Sequence, residues 1–241
     1  EGFVGRIYHW RSAYLQDWIA DPSFPLVWHL QKSRAGSGPH HDLGSHLIDL
    51  ARYLVGEVSS VSAASKTFVA ERPLPGAGAA TFSAGSGGGG QTGRVDVEDA
   101  MAMLTEFDSG AVGSFEVSRF APGRKNHNTF EIYGENGSIV WDLERMNELQ
   151  VFSTKDPSHA QGFKTIIVTE NEHPYIDAWW PPGHAIGYEH TFHHAVADFV
   201  RAVATGERVR PDLEDGLREA TVIDAALESA ATGRRVTVRY D

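Results

Sequence analysis

Residues 42–55 read DLGSHLIDLARYLV and carry the clearest helical signal in the chain. An apolar stripe at helical spacing is formed by Leu43, Leu47, Leu50 and Leu54. Gly56 follows the last leucine, and glycine at that place supplies the left-handed residue with which many helices end. The spacing therefore predicts an amphipathic helix over 42–55 that buries its leucine face.

A polar stripe runs beside the leucines on the same predicted helix, and its members are Asp42, His46, Asp49 and Tyr53. Asp42 and His46 lie one turn apart, so the carboxylate can orient the imidazole and favour its protonated form, as general acid/base catalysis requires. Two other interpretations remain open. Asp42 can serve as a partner of the helix dipole, with His46 at a core edge. A metal site can also be built on His40, His41, Asp42 and His46.

Strand patterns extend outward from this helix in both directions. β-Branched and aromatic residues predict a strand over 4–15, and alternation predicts another over 57–69. Further strands are predicted over 97–107, 111–120, 128–134, 138–143, 149–153, 164–169 and 235–240. Asp108-Ser109-Gly110 and Glu135-Asn136-Gly137 are hairpin signals, which favour an antiparallel meander.

The C-terminal quarter predicts two helices and completes the fold class. Over 190–203 an apolar stripe is formed by Phe192, Val196, Phe199 and Val203. The second helix begins after the cap Asp212 and ends at Gly233. The element order predicts a single α+β domain over 1–241, with an open, mostly antiparallel sheet and helices packed on one face. A Gly- and Ala-rich insertion at about 70–95 is predicted to be mobile.

Composition excludes several function classes. The 241 residues contain 21 Lys+Arg against 32 Asp+Glu, so the formal net charge of -11 argues against nucleic acid or an anionic membrane as the main partner. The absence of cysteine excludes disulfides, thiolate metal sites and cysteine nucleophiles. No stretch approaches the roughly 20 apolar residues of a membrane span, and no signal-peptide pattern is present, so we expect a cytoplasmic protein. The sequence starts with Glu1-Gly2-Phe3 and without an initial methionine, which predicts that a longer chain was cut at a domain boundary.

Aromatic and histidine clusters supply further candidate residues. Trp18 and Trp28 lie in an ordered loop over 16–39, either as core cover or as walls of a ligand pocket. A rigid aromatic loop is formed by Trp179-Trp180-Pro181-Pro182-Gly183-His184 together with Tyr188. Its flat rings suit the C–H side of a sugar, and core cover is the alternative. The cluster of His190, His193 and His194 is predicted to be a solvated or interface face, because the apolar stripe lies opposite.

Two apparent motifs carry no function. Residues 85–90, GSGGGG, match the dinucleotide pattern G-x-G-x-x-G, yet no apolar strand precedes them and no helix follows, so no phosphate cradle is expected. Ser45 and His46 are neighbours on a predicted helix and point about 100° apart, which excludes a nucleophile–base dyad.

Gly36-Ser37-Gly38 leads into the pattern D-x-x-x-H-x-x-D at Asp42, His46 and Asp49. This pattern resembles the C-terminal substrate domain of the Gfo/Idh/MocA oxidoreductases. The likeness continues through residues 14–18, 25–28 with Lys32, 97–99, 130–134, 137–139 and 187–189. As a set, these segments are most similar to the branch of levoglucosan dehydrogenase-like sugar dehydrogenases.

The resemblance implies a two-domain enzyme whose N-terminal Rossmann domain, absent from this chain, binds NAD or NADP. It implies that His46 is the acid/base, that Asp42 orients the substrate and that Lys32 contacts hydroxyl groups. It also implies a cofactor contact at His41, and pocket walls at Trp18, Trp28, His184 and Tyr188. The family's Lys from an E-K-P motif has no counterpart here. Pro39-His40-His41 replaces a small, apolar approach to the Asp, so two imidazoles are expected beside the nicotinamide.

The complete protein is therefore expected to oxidise a secondary hydroxyl of a sugar, an anhydrosugar or a polyol, while the isolated chain is expected to be inactive. A homo-oligomer, dimer or tetramer, is expected to form through the sheet face. One alternative is a non-catalytic scaffolding or dimerisation protein of the same fold. Another is a His/Asp metal-dependent enzyme.

Overall fold

The computed structural model describes residues 2–76 and 90–240. Its strands are β1 (Ile7–Leu15), β2 (Val58–Lys66), β3 (Glu71–Pro73), β4 (Thr92–Arg94), β5 (Ala100–Phe107), β6 (Val112–Ser118), β7 (His127–Gly134), β8 (Gly137–Asp142), β9 (Glu148–Ser153), β10 (Lys164–Ile167) and β11 (Val236–Thr237). Its α-helices are α1 (Lys32–Ala35), α2 (Pro39–Asp42), α3 (Gly44–Leu54), α4 (Tyr188–Thr205) and α5 (Leu213–Thr232).

One large sheet organises the described part of the chain. Its nine strands lie in the order β10-β9-β8-β7-β1-β6-β5-β2-β11. β1 occupies the interior of the sheet, where His9 is paired with Val112 of the parallel strand β6 and with Tyr133 of the antiparallel strand β7. The other neighbouring pairs of this sheet are antiparallel. The predicted α+β class with a mostly antiparallel sheet is confirmed, while the β1–β6 parallel pair was not predicted.

The two faces of the sheet differ in what covers them. Trp10 is fully buried on the covered face and stacks on Phe130, with ring centroids 5.2 Å apart. Helices α3 and α5 pack over this face. On the opposite face Ala102 and Leu104 are exposed, and Leu104 keeps 67% of its surface accessible. The prediction that helices pack on one face is confirmed.

Helix α4 contradicts one expectation. Its apolar residues Phe192, Val196, Phe199 and Val203 were expected to pack in the core, but they are 57% to 71% exposed. The histidine side of the helix packs instead, because Trp179 donates from Nε1 to His194 at 2.6 Å and Tyr175 stacks on the same imidazole at 4.4 Å. Helical periodicity identifies a face that needs a partner, and it does not identify the partner. Within the described ranges, no helix has both the length and the apolarity to cross a bilayer.

The glycine-rich insertion is ordered at both of its ends. β3 and β4 pair as an antiparallel hairpin, and Arg72 on β3 is fully buried. Its guanidinium donates to the backbone carbonyls of Ile19, Asp21 and Phe24 at 2.6 to 3.2 Å. The segment predicted to be mobile at about 70–95 therefore contains structural residues. Residues 85–89 of the G-x-G-x-x-G match lie outside the described residues.

Candidate active site

The predicted helix over 42–55 is two helices in the structure. α2 starts earlier, at Pro39, where the missing N–H of proline is tolerated, and it ends at Asp42. α3 restarts at Gly44, and a Cβ atom there would lie 2.9 Å from Nδ1 of His40. Glycine at position 44 therefore leaves room for the buried His40 side chain one turn earlier. Asp42 and His46 consequently lie on either side of a break instead of on one continuous helix.

A cavity of about 400 Å³ opens at this break, which is within the size range of ligand sites. We call it the Asp42–His46 cleft. It is lined by Trp28, His29, Ala35, Ser37, Gly38, His41, Asp42, Ser45, His46, Arg119 and Glu219. Gly38 is required in this lining, because a Cβ atom would lie 1.9 Å from the carbonyl oxygen of Glu98. The backbone therefore reaches the cleft wall only without a side chain.

Asp42 does not make the contact with His46 that helical spacing predicted. Its Oδ2 accepts a hydrogen bond from Nη2 of Arg119, and no hydrogen bond joins the Asp42 and His46 side chains. The Asp42 side chain is 52% exposed, and Oδ1 has no hydrogen-bond partner among the described residues. One carboxylate oxygen is thus held by the protein, and the other is available to a ligand hydroxyl.

His46 is exposed, and its ring packs against the Tyr14 ring in a T-shaped arrangement with ring centroids 5.7 Å apart. No described residue hydrogen-bonds to either imidazole nitrogen, so the ring has a free lone pair for a proton. The same side chain lines a second cavity of about 620 Å³ together with Asp49, Glu219 and Leu213. Burial raises the pKa of Glu219 to about 7, and the charge of Asp49 adds to this effect.

Arg119 is the residue of this site that sequence reasoning missed. It directly follows β6, and its side chain is 1% exposed. The guanidinium lies 5.3 Å from the ring centroid of Trp18, a cation–π distance. The sequence did contain a signal for Arg119. Phe115 and Val117 alternate as buried residues of β6, and Arg119 is the next residue on the same side of the chain. An arginine at such a position indicates a buried partner of opposite charge.

Comparison with known proteins places this arrangement in a family. Residues 1–140 match the family model described as the GFO/IDH/MocA C-terminal domain. The chain belongs to the GFO/IDH/MocA family. Levoglucosan dehydrogenase from Pseudarthrobacter phenanthrenivorans is 48% identical to it over 232 residues, which are 96% of this chain and 59% of that protein.

Solved structures agree with this assignment. Levoglucosan dehydrogenase in its apo form superposes with a TM-score of 0.93 at 47% identity, over 99% of this chain and 61% of that one. Levoglucosan dehydrogenase in complex with NADH and levoglucosan gives 0.90 at 44% identity, over 100% and 60%. The GFO/IDH/MocA chain described here therefore spans less than two thirds of the length of these relatives.

Two of the aromatic and histidine candidates line the cleft of this GFO/IDH/MocA domain. Trp28 and His41 are part of its wall, and Trp28 stacks on His29 with ring centroids 3.6 Å apart. Burial lowers the pKa of His29, and the charge of Arg119 lowers it further. Trp18 lies behind the wall, beneath Arg119 and against Phe24. It supports the cleft without lining it.

The remaining candidates are outside the cleft lining. Lys32 is exposed on α1, where its backbone N–H donates to Asp96. His184 is exposed, with Nδ1 2.7 Å from the carbonyl oxygen of Pro181. Tyr188 opens α4 and is half-exposed. Burial raises the pKa of Tyr14 to about 12, and nearby Tyr188 contributes to that rise.

His40 does not stand beside the cleft, although two imidazoles were expected there. It is fully buried, and Nε2 lies 3.3 Å from the carbonyl oxygen of Ile223 on α5. Burial lowers its pKa to about 4. The four-residue metal set that includes it and His46 therefore does not form. In the described ranges, the group spaced to hold a metal ion is His127, Asp142 and Glu144, at the β7–β8 end of the sheet.

Proposed function

We propose that this chain is the substrate domain of an NAD(P)-dependent oxidoreductase that oxidises a secondary hydroxyl of a sugar, an anhydrosugar or a polyol. The observation that carries the proposal is the Asp42–His46 cleft, where a free imidazole and a free carboxylate oxygen line one cavity. The similarity to levoglucosan dehydrogenase, which has been solved with NADH and levoglucosan, supports the same reaction class.

Oxidation of a secondary alcohol removes a hydride from carbon and a proton from oxygen. Bound NAD(P) supplies the hydride acceptor. His46 takes the hydroxyl proton, because its ring nitrogens are unengaged and its side chain is exposed to the cleft. Oδ1 of Asp42 accepts a hydrogen bond from a substrate hydroxyl and so fixes which hydroxyl faces His46. Trp28 provides a flat apolar surface for the C–H side of a sugar ring.

The lining of the cleft fits a sugar and a nicotinamide ring, and it does not fit a pyrophosphate. Among the described residues that line the cleft, Arg119 is the one lysine or arginine. Its guanidinium is already paired with Asp42. The side chains that bind phosphate in proteins are mostly those of arginine and lysine. The dinucleotide would therefore be held by a separate Rossmann domain. His41, on the cleft wall, is the proposed contact of this chain with the nicotinamide.

The remaining candidates keep secondary roles in the proposal. Tyr188 lies near Tyr14, whose ring packs against His46. We propose that Tyr188 forms the outer wall of the substrate pocket. Trp18 supports the wall from behind. Lys32 stays a proposed hydroxyl contact and His184 a proposed pocket wall. Both roles require a substrate that extends beyond the cleft or a movement of these exposed segments.

A fusion protein tests the proposed function. The part of Pseudarthrobacter levoglucosan dehydrogenase that this chain does not match is joined to the N-terminus of the chain, and NADH formation is followed by absorbance. Levoglucosan, L-sorbose, myo-inositol and glucose form the substrate panel. We expect turnover of at least one of them by the fusion and none by the chain alone. A fusion that binds NADH, measured by fluorescence, and oxidises no member of a wide polyol panel contradicts the proposal.

The uncovered sheet face supports a proposed homo-oligomer. Leu104 and Val112 are exposed on it, and Arg11 and Glu131 form an ion pair across β1 and β7. Mixed apolar and charged residues on one patch suit the self-complementary surface of a twofold dimer. We expect sedimentation equilibrium to show at least a dimer and Leu104→Asp to lower the mass toward the monomer. Leu213→Asp, on 94% exposed Leu213 of α5, is the matched control. A monomeric wild-type chain contradicts this expectation.

A further inference from the structure

Arg119 is a buried cation that hydrogen-bonds to one carboxylate, Asp42. Its side chain is 1% exposed, and its Nε and Nη1 atoms are buried without a hydrogen-bond partner among the described residues. Asp99 is the other nearby carboxylate, but its Oδ2 accepts from the backbone N–H groups of Phe68 and Val69. Asp42 is therefore the carboxylate that hydrogen-bonds to the Arg119 guanidinium, while Asp99 acts on it through charge alone.

The position of Arg119 is fixed from below by Trp18. The indole lies 5.3 Å from the guanidinium and packs edge-on against Phe24 and His29. Its Nε1 donates to Oε1 of Gln16 at 2.9 Å. Because the guanidinium rests on a packed aromatic ring, it has little freedom to follow a moving carboxylate. The ion pair thus restrains Asp42 and not the reverse.

A chain of contacts connects Trp18, through Gln16, with the Tyr14 ring that packs against His46. Gln16 donates from Nε2 to Oδ1 of Asn126 at 3.2 Å, and the Tyr14 hydroxyl donates to the same oxygen at 2.6 Å. The Tyr14 ring in turn faces His46. Asp42 and His46 lie on different helices, and no hydrogen bond joins their side chains. Their relative placement is therefore set through Arg119 on one side and Tyr14 on the other.

We propose that Arg119 is a positioning residue, which holds Oδ2 of Asp42 so that Oδ1 faces the cleft and receives the substrate hydroxyl. The inference rests on the proposed dehydrogenase function. Arg119 acts through Asp42, because its own unpartnered nitrogens are buried and out of reach of a ligand. Its effect is accordingly on the sugar and not on the dinucleotide.

Kinetics of the fusion protein test this role. We expect Arg119→Met to lower kcat/KM for the sugar about 10- to 100-fold, since a misplacement of about 1 Å has this effect, with KM for NAD unchanged. Arg119→Lys keeps the charge and should recover part of the loss. In the Asp42→Asn background, Arg119→Met should cause no further loss. Losses that multiply in the double variant, or an unchanged kcat/KM in Arg119→Met, overturn the proposal.

Stability of the chain gives a readout without turnover. Asp42→Asn should lower the urea midpoint when Arg119 is present and change it much less in the Arg119→Met background. Equal drops in both backgrounds overturn the pairing. Arg72→Met is the matched control for loss of a buried guanidinium, with a lower midpoint but unchanged kcat/KM. If Arg119→Met does not fold, Arg119→Gln, which also removes the charge, replaces it in both cycles. A fusion without any sugar turnover refutes the proposed function, and the urea midpoints then decide the inference alone.

Discussion

His46→Ala in the fusion protein is expected to lower kcat for sugar oxidation by about 10²- to 10⁴-fold, the usual contribution of a positioned general base. No described residue hydrogen-bonds to the ring nitrogens of His46, which is the proton acceptor of the proposed mechanism, so its loss leaves the hydroxyl proton without that acceptor. NADH absorbance under saturating sugar and NAD measures kcat. KM for NAD should stay unchanged, because His46 contacts the reacting hydroxyl and not the phosphates.

His159→Ala is the matched control for His46→Ala. His159 is also exposed, but it lies outside the cleft, and its removal should leave kcat unchanged. Equal turnover in His46→Ala and the wild-type fusion removes His46 from the mechanism. A general loss of NADH binding in His46→Ala shows instead that the variant damages the fold.

The stability of the chain between pH 7 and pH 5 is expected to depend on His40 and Glu219, whose contributions change with pH in opposite directions. The folded pKa of His40, about 4, lies below its ordinary value of 6.5, so the unfolded chain takes up the proton first as pH falls. The stabilisation is complete above pH 6.5 and falls by about 2 kcal/mol at pH 5. The folded pKa of Glu219, about 7, lies above its ordinary 4.5, so stability rises as pH falls through 7. This gain is smaller, because Glu219 is partly exposed and screened by solvent.

Urea unfolding at several pH values separates the two groups. His40→Gln cannot take up this proton, so its stability should no longer fall between pH 6.5 and pH 5. Glu219→Gln should make the fall steeper than in the wild type. Glu98 and His41 also face His40, through its backbone N–H and through charge, and both are kept in each variant. Identical slopes in the wild type and His40→Gln contradict the assignment of a neutral buried imidazole.

The sequence was sufficient to predict those features of the helices that depend on residues close to one another in the chain. Leu43 and Leu47 are buried as their spacing requires. Asp212 caps α5 by accepting from the N–H groups of Glu214 and Asp215, and Gly233 ends the helix with a φ of 67°. Each of these features is decided within one helical turn, so periodicity and capping chemistry were sufficient.

The contacts that build the site depend on distant residues and were not predictable. Arg119 reaches Asp42 across 77 positions of sequence, and Nε2 of His40 meets the carbonyl of Ile223 across 183. Helical spacing gave Asp42 the wrong partner, because the break at Leu43 separates it from His46. The exposed stripe of α4 shows the same limit, since a pattern of apolar residues contains no information about what covers it.

The interior position of β1 constrains the order in which the chain can fold. The two hydrogen-bonding edges of β1 pair with β6 and β7. His9 can therefore pair only after Val112 and Tyr133 have been synthesised. Until then Trp10 and the other apolar side chains of β1 lack the neighbouring strands against which they pack. Such distant pairings impose a large loop-closure entropy before any contact is gained, which places this chain among slow folders. A nascent chain stalled before Val112 would present two open strand edges, and unpaired edges of this kind promote aggregation.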